Sequence, residues 1–280
     1  MPSPPDDTTA RRIRHAFQQA ATVLGVAADG AEERWGWESR SLSGPVAGNQ
    51  WLRLLTAPVQ RTRGGSWDGP QAAENAVPDT VPRPRLHAAH EWASEEHRYR
   101  AELYDRIRGI ALSDGPLPPA GLRLPDAWWN SLQVSLSELS ATGTDRVAIR
   151  QERLDWAMPQ FLGPGVATEA PAWTTAHADI QWSNLAGPDL LVLDWERWGR
   201  APAGYDQATL YISSLTDPEV AERVQQAFAP VLDSPAGRFS QLVVASEFLQ
   251  GMQRGNNLEL EGPLRRRVSL LLDSPGRSRG

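Results

Sequence analysis

The chain has 280 residues, 40% of them hydrophobic, and a net charge of -6. That length can bury one large core or two smaller ones, and the acidic balance speaks against a nucleic-acid partner, which calls for a basic excess. The absence of Cys excludes disulfides, thiolate nucleophiles and Cys-based zinc sites.

The opening MPSPPDDTTA lacks the basic and then apolar run of a signal peptide, and no stretch approaches the roughly 20 apolar residues of a membrane span. A cytoplasmic protein with no membrane partner is expected. All 28 basic residues are Arg, so any site that ordinarily uses Lys must here use a planar guanidinium.

Taken in chain order, the first pattern runs from Thr8 to Leu24. Ile13, Phe17, Ala20, Ala21 and Leu24 recur there at helical spacing, behind Asp and Thr residues able to cap. Three strand-like pieces follow, RWGWESRSL, SGPVAGN and QWLRLLTAP, broken by Gly and Ser. TRGGSWDGP reads as a loop and QAAENAV as a short helix, stopped by PDTVPRPR because Pro cannot continue a helix and restrains the residue before it. LHAAHEW and HRYRAELYDRI, around the polar turn ASEEH, supply two more strands. The pattern predicts a small antiparallel sheet with one inserted helix and a leading helix.

From PDAWWNSLQVSLSELSA onward the chain turns mainly helical, with Pro125 near a helix start and Trp128, Leu132, Leu136 and Leu139 on one face. DPEVAERVQQAFAPVL, SPAGRFSQLVVASEFLQGMQ and GPLRRRVSLLLD have the same character. The expected architecture is α+β, with an N-terminal lobe over residues 1–106 and a larger helical C-terminal lobe over 107–280.

Between these helices lie HADIQWSN (residues 177–184) and, after a short gap, LLVLDWE (residues 190–196). An apolar strand that ends in Asp194 places one carboxylate, and the preceding segment offers Asp179 and Asn184 five residues apart. Such oxygen ligands suit Mg²⁺, which keeps some waters and is completed by substrate phosphates. In a kinase catalytic loop an Asp orients the attacking hydroxyl, an Asn five residues later binds metal, and an Asp at the end of a nearby strand binds metal between the nucleotide phosphates.

The pattern H-x-D-x-x-x-x-N followed by a hydrophobic strand and D-x-E resembles that of the aminoglycoside phosphotransferase and choline kinase group of protein-kinase-like enzymes. It reads here as His177, Asp179, Asn184, Asp194 and Glu196, with Ala178 where Gly is usual. The segment GRAPAGYDQATLY is similar to the stretch that follows the metal-binding Asp in that group. The resemblance is strongest over residues 173–215. It implies a two-lobed protein-kinase-like fold and an ATP- or GTP-dependent, Mg²⁺-dependent phosphotransferase with an alcohol group as acceptor. Asp179 would be catalytic, His177 and Asp206 would support its loop, and Asn184, Asp194 and Glu196 would bind metal.

The nucleotide side of the resemblance is carried by Ser39 and Ser41 in a turn after Gly36, and by Arg53 in QWLRLLT standing where the group's Lys would be. Glu74 in the short helix is the expected ion-pair partner of Arg53. The backbone at Glu102, Leu103 and Tyr104 is the expected hinge for an adenine. Trp182 and Trp198 flank the loop and are candidate acceptor contacts; Glu247, Glu259 and Glu261, interleaved with Arg, offer a weakly acidic acceptor surface. The implied partners are a nucleotide and a hydroxyl-bearing small molecule of the antibiotic, sugar or amino-alcohol kind. A peptide Ser or Thr, or a pseudokinase that binds nucleotide or a partner protein without turnover, is the alternative.

His87, His90, Glu91 and His97 do not form the H-E-x-x-H arrangement of a zinc protease, and their flanks read as strand. No G-x-S-x-G turn supports a Ser hydrolase.

Overall fold

Asp6 caps helix α1 (Asp7–Val23), its carboxylate accepting from the N–H groups of Thr8 and Thr9. The computed structural model describes residues 4–28, 32–36, 39–60, 67–94, 96–107 and 109–273. Two units emerge along the chain: Met1–Asn75 with Arg83–Arg108, and Ala76–Pro82 with Gly109–Gly280.

The first unit holds a sheet of β1 (Arg34–Trp35), β2 (Ser41–Val46), β3 (Gln50–Pro58), β4 (Leu86–Ala93) and β5 (His97–Asp105), antiparallel throughout. Its order, β1-β2-β3-β5-β4, inserts the last strand between β3 and β4. Alternation along a strand sends successive side chains to opposite faces. Tyr99, Ala101 and Leu103 therefore join Leu52, Leu54 and the apolar stripe Ile13, Phe17 and Ala20 of α1 in one core, while Arg100, Glu102 and Tyr104 point the other way. Helix α2 (Gly69–Ala76) forms where QAAENAV predicts it.

This strand order corrects the hinge expectation. Glu102 is in register with Arg53 of β3 and Ala89 of β4, and Tyr104 with Trp51 and Leu86. The N–H and C=O groups of a central strand are committed to its neighbours. The backbone of Glu102, Leu103 and Tyr104 is thus used by the sheet rather than offered to a base; the chain, which also contributes residues 76–82 to the second unit, enters it for good after Arg108.

The second unit begins with β6 (Ile110–Ala111), α3 (Asp126–Ala141) and α4 (Gln151–Leu162). Helix α4 is absent from the sequence reading. It carries Pro159 internally, which argues against a helix, but its short stripe Leu154, Ala157 and Met158 is buried and outweighs that cost. Next come β7 (Trp173–Ala176), β8 (Leu185–Gly187), β9 (Leu191–Val192) and β10 (Gly199–Pro202). They form the pairs β10-β7 and β6-β8-β9.

Helices α5 (Tyr205–Ser213), α6 (Pro218–Leu232), α7 (Pro235–Met252) and α8 (Glu261–Asp273) complete the chain. Helix α7 packs against α4, α5, α6 and α8. It is accordingly buried around much of its circumference, including Phe239, Val243, Val244, Ala245 and Leu249. Among the described residues no helix is long and apolar enough to cross a membrane.

Candidate active site

The segment between β7 and β8 is held from three directions. The Asp206 carboxylate, in the first turn of α5, accepts the backbone N–H of His177 at 2.7 Å and of Ala178 at 2.8 Å. Burial pushes the Asp206 carboxyl up to about 7, while those two N–H bonds pull it down. Ala178 itself has φ +63°, the left-handed region that Gly occupies without strain. His177 is fully buried; its Nε2 donates to the Leu193 carbonyl at 2.9 Å and its ring meets Trp195 edge-on. Burial lowers its pKa to about 4, so the ring is neutral at pH 7.

Residues 182–184 make a single 3-10 turn that returns Asn184 to Asp179. The Asn184 amide nitrogen donates to the Asp179 carbonyl and to its carboxylate Oδ2, both at 2.9 Å. The Asp179 carboxyl is pushed up to about 6, chiefly by burial; nearby Arg197 lowers it and Asp194 raises it. The Leu193 N–H donates to the Asn184 carbonyl at 2.8 Å, which brings the next residue, Asp194, beside the loop. Asp194 has φ +61°, a conformation Asp tolerates better than most residues. Arg146 secures the segment that follows, donating to the carbonyls of Trp198 and Glu196.

Neither a family model nor a curated relative matches the sequence. Among solved structures, aminoglycoside phosphotransferase APH(4)-Ia superposes with a TM-score of 0.64 over 96% of this chain and 100% of that one, at 14% identity. The fold is that of the aminoglycoside phosphotransferases. A thermostable mutant of the same protein in ternary complex with AMP-PNP and hygromycin B gives 0.60 over 93% and 99%, at 14% identity. Amicoumacin kinase hAmiN in complex with AMP-PNP, Ca²⁺ and Ami gives 0.56 over 94% and 96%, at 8% identity.

Within this fold, the second unit brings Asp179, His177, Asn184, Asp194 and Asp206 together. Glu196 lies half-buried two residues beyond Asp194, its carbonyl held by Arg146. Two contributors were not singled out from sequence. Arg197 faces Tyr205, Glu247, Asp179 and Asp194; crowding by protein opposes its charge, but their field outweighs this and raises its pKa. Tyr205 donates to Glu247 Oε2 at 2.6 Å, and burial together with that carboxylate raises the phenol's pKa. Arg197 could have been found from its place just after D-x-E; the Tyr205–Glu247 contact, 42 positions apart, could not. Glu261 instead pairs with Arg265 on the surface of α8, and Glu259 is exposed.

The Trp expectations are corrected. Trp182 is fully buried, stacked on Trp128 and edge-on to Trp129, with its Nε1 donating to Ser214 Oγ at 3.0 Å. Trp198 is equally enclosed beneath the Arg146 guanidinium. Both rings hold the core and present no face to an acceptor. Trp182→Phe is therefore expected to lower the unfolding free energy by about 2 kcal/mol through the space it vacates; an unchanged denaturant midpoint would place the indole outside the core.

In the first unit, Ser41 opens β2 opposite Leu55, and Ser39 N–H bonds the Gly36 carbonyl at 3.1 Å. A Cβ on Gly36 would fall 2.1 Å from Ser41 Oγ, so a side chain there would force the Ser41 hydroxyl to turn away. Residues 37 and 38 of that turn lie outside the described residues. Glu74 does not meet Arg53: it pairs with Arg85 and Arg83 and accepts the Leu86 N–H at 3.2 Å. Arg53 instead lies 4.0 Å from Glu102.

Proposed function

We propose that this protein is a Mg²⁺- and nucleotide-dependent phosphotransferase that moves the γ-phosphoryl group of ATP or GTP to a hydroxyl of a small molecule of the antibiotic, sugar or amino-alcohol kind. The observation that carries the reading is the double hydrogen bond from Asn184 to Asp179 beside Asp194. Complexes of the similar proteins with AMP-PNP and an antibiotic support the same pairing of donor and acceptor here.

Asp179 accepts the proton of the attacking hydroxyl. Its burial raises its basicity toward neutral pH, where a general base works best. Asn184 spends its amide hydrogens on Asp179, so its amide oxygen is the group it offers to a metal. Among the described residues no group of three or more His, Asp or Glu could hold a metal ion. One carboxylate and one amide oxygen nevertheless fit Mg²⁺, whose remaining positions are filled by waters and nucleotide phosphates. When bound, the ion offsets charge on the phosphates. Arg197, among Asp179, Asp194 and Glu247, offsets their mutual repulsion.

Calorimetric titration of ATP and GTP, with and without Mg²⁺, tests the reading. Mg²⁺-dependent binding is expected in the wild type and a loss of about tenfold or more in Asp194→Ala, the size usual for a ligand-shell change. Transfer to small hydroxyl compounds is then followed by the nucleoside diphosphate formed together with the phosphorylated acceptor. Absence of nucleotide binding under every condition would favour the partner-binding pseudokinase.

A further inference from the structure

Glu102 is fully inaccessible, on the sheet face opposite α1. Its Oε1 accepts Arg100 Nε at 2.7 Å, its Oε2 accepts the Tyr104 hydroxyl at 2.8 Å, and Arg53 Nη1 stands 4.0 Å from Oε2. Arg100 also binds Glu91. The row Glu91, Arg100, Glu102, Arg53 therefore crosses β4, β5 and β3 with alternating charge. Its interior members are enclosed, while Arg53 keeps 21% of its side chain accessible.

We propose that Glu102 is the positioning residue of the nucleotide-phosphate site, holding the Arg53 guanidinium in place of a helix carboxylate. The proposal rests on the phosphotransferase reading above. Arg53 and Glu102 are direct cross-strand partners, so the sheet itself sets their separation. At 4.0 Å the contact is one of charge rather than a hydrogen bond; Glu102 orients Arg53 without itself taking one of its N–H groups. Ordering a long side chain beforehand removes rotamer entropy that phosphate binding would otherwise lose.

Glu74, by contrast, anchors α2 to the start of β4 through Arg85, Arg83 and the Leu86 N–H. Arg53 is thus oriented by a strand neighbour and needs no movement of α2.

The test is titration of MgATP into the wild type, Glu102→Gln, Glu74→Gln, Arg53→Met and the double variant Arg53→Met/Glu102→Gln, each checked for a cooperative melt. Glu102→Gln is expected to weaken binding about tenfold or more, as loss of a residue behind a ligand-binding side chain commonly does, and Glu74→Gln to lose less. In the Arg53→Met background Glu102→Gln is expected to add nothing. An equal loss in both backgrounds, or a larger loss in Glu74→Gln, overturns the proposal. Should Glu102→Gln fail to fold, Glu102→Asp, which keeps the charge but shortens its reach, is expected to weaken MgATP binding, and wild-type affinity there overturns it equally. Failure of the wild type to bind nucleotide overturns the phosphotransferase reading itself.

Discussion

Asp179→Asn is expected to lower kcat by about 10²–10⁴-fold, the range for removing a general base, while leaving MgATP affinity near that of the wild type. The amide keeps an oxygen for the hydrogen bond from Asn184, so the loop persists and only the basic function is lost. A drop in nucleotide affinity as large as the drop in kcat would instead make Asp179 a binding residue. The same carboxyl sets a pH dependence. Burial raises it to about 6, and only its ionised form accepts a proton. Activity is therefore expected to fall as pH drops through about 6, by about tenfold per unit below it. Arg197 lowers this pKa, so Arg197→Gln is expected to move the acid limb to higher pH. Carboxyl ¹³C titration of the nucleotide-free protein reads both values directly, and a midpoint near the ordinary Asp value would remove the basis for the acid limb.

Asp206→Asn is expected to have the largest effect on stability among single changes near the site. Both Asp206 oxygens accept backbone N–H groups, from His177 and Ala178. An amide offers one oxygen, so its NH₂ faces an N–H and one buried donor loses its partner, at about 1–3 kcal/mol. The release also frees Ala178 to leave φ +63°, a conformation that costs L-residues about 1–2 kcal/mol. Asp179 would then lose its set position and kcat would fall with stability. Denaturant unfolding and turnover on one preparation check both; a variant with wild-type kcat and a wild-type midpoint would show that Asp206 does not hold the loop.

The geometry of the candidate segment was legible because it is local. His177, Asp179 and Asn184 lie within eight positions, and one 3-10 turn closes Asn184 onto Asp179. The helices α1, α3, α6 and α8 were legible for a related reason, their apolar positions recurring at 3.6-residue spacing. Helix α4 escaped because its stripe is short and contains Pro159. The Trp residues misled because an indole beside a catalytic loop reads alike whether it lines a cleft or fills a core. Only the positions of Trp128, Trp129 and Ser214 around Trp182 distinguish the two.

The sequence by itself determined which groups are the candidates for chemistry: an ordered set of carboxylates and an amide in one short segment, and an Arg on a strand where no Lys exists anywhere in the chain. Tertiary structure alone decided which charge meets which. The sequence pointed Arg53 to Glu74 on the short helix, whereas the sheet places Glu102 beside it. The insertion of β5 between β3 and β4 settled the choice, because charge attraction falls off with distance and the order of strands in a sheet is not written in the spacing of any one strand.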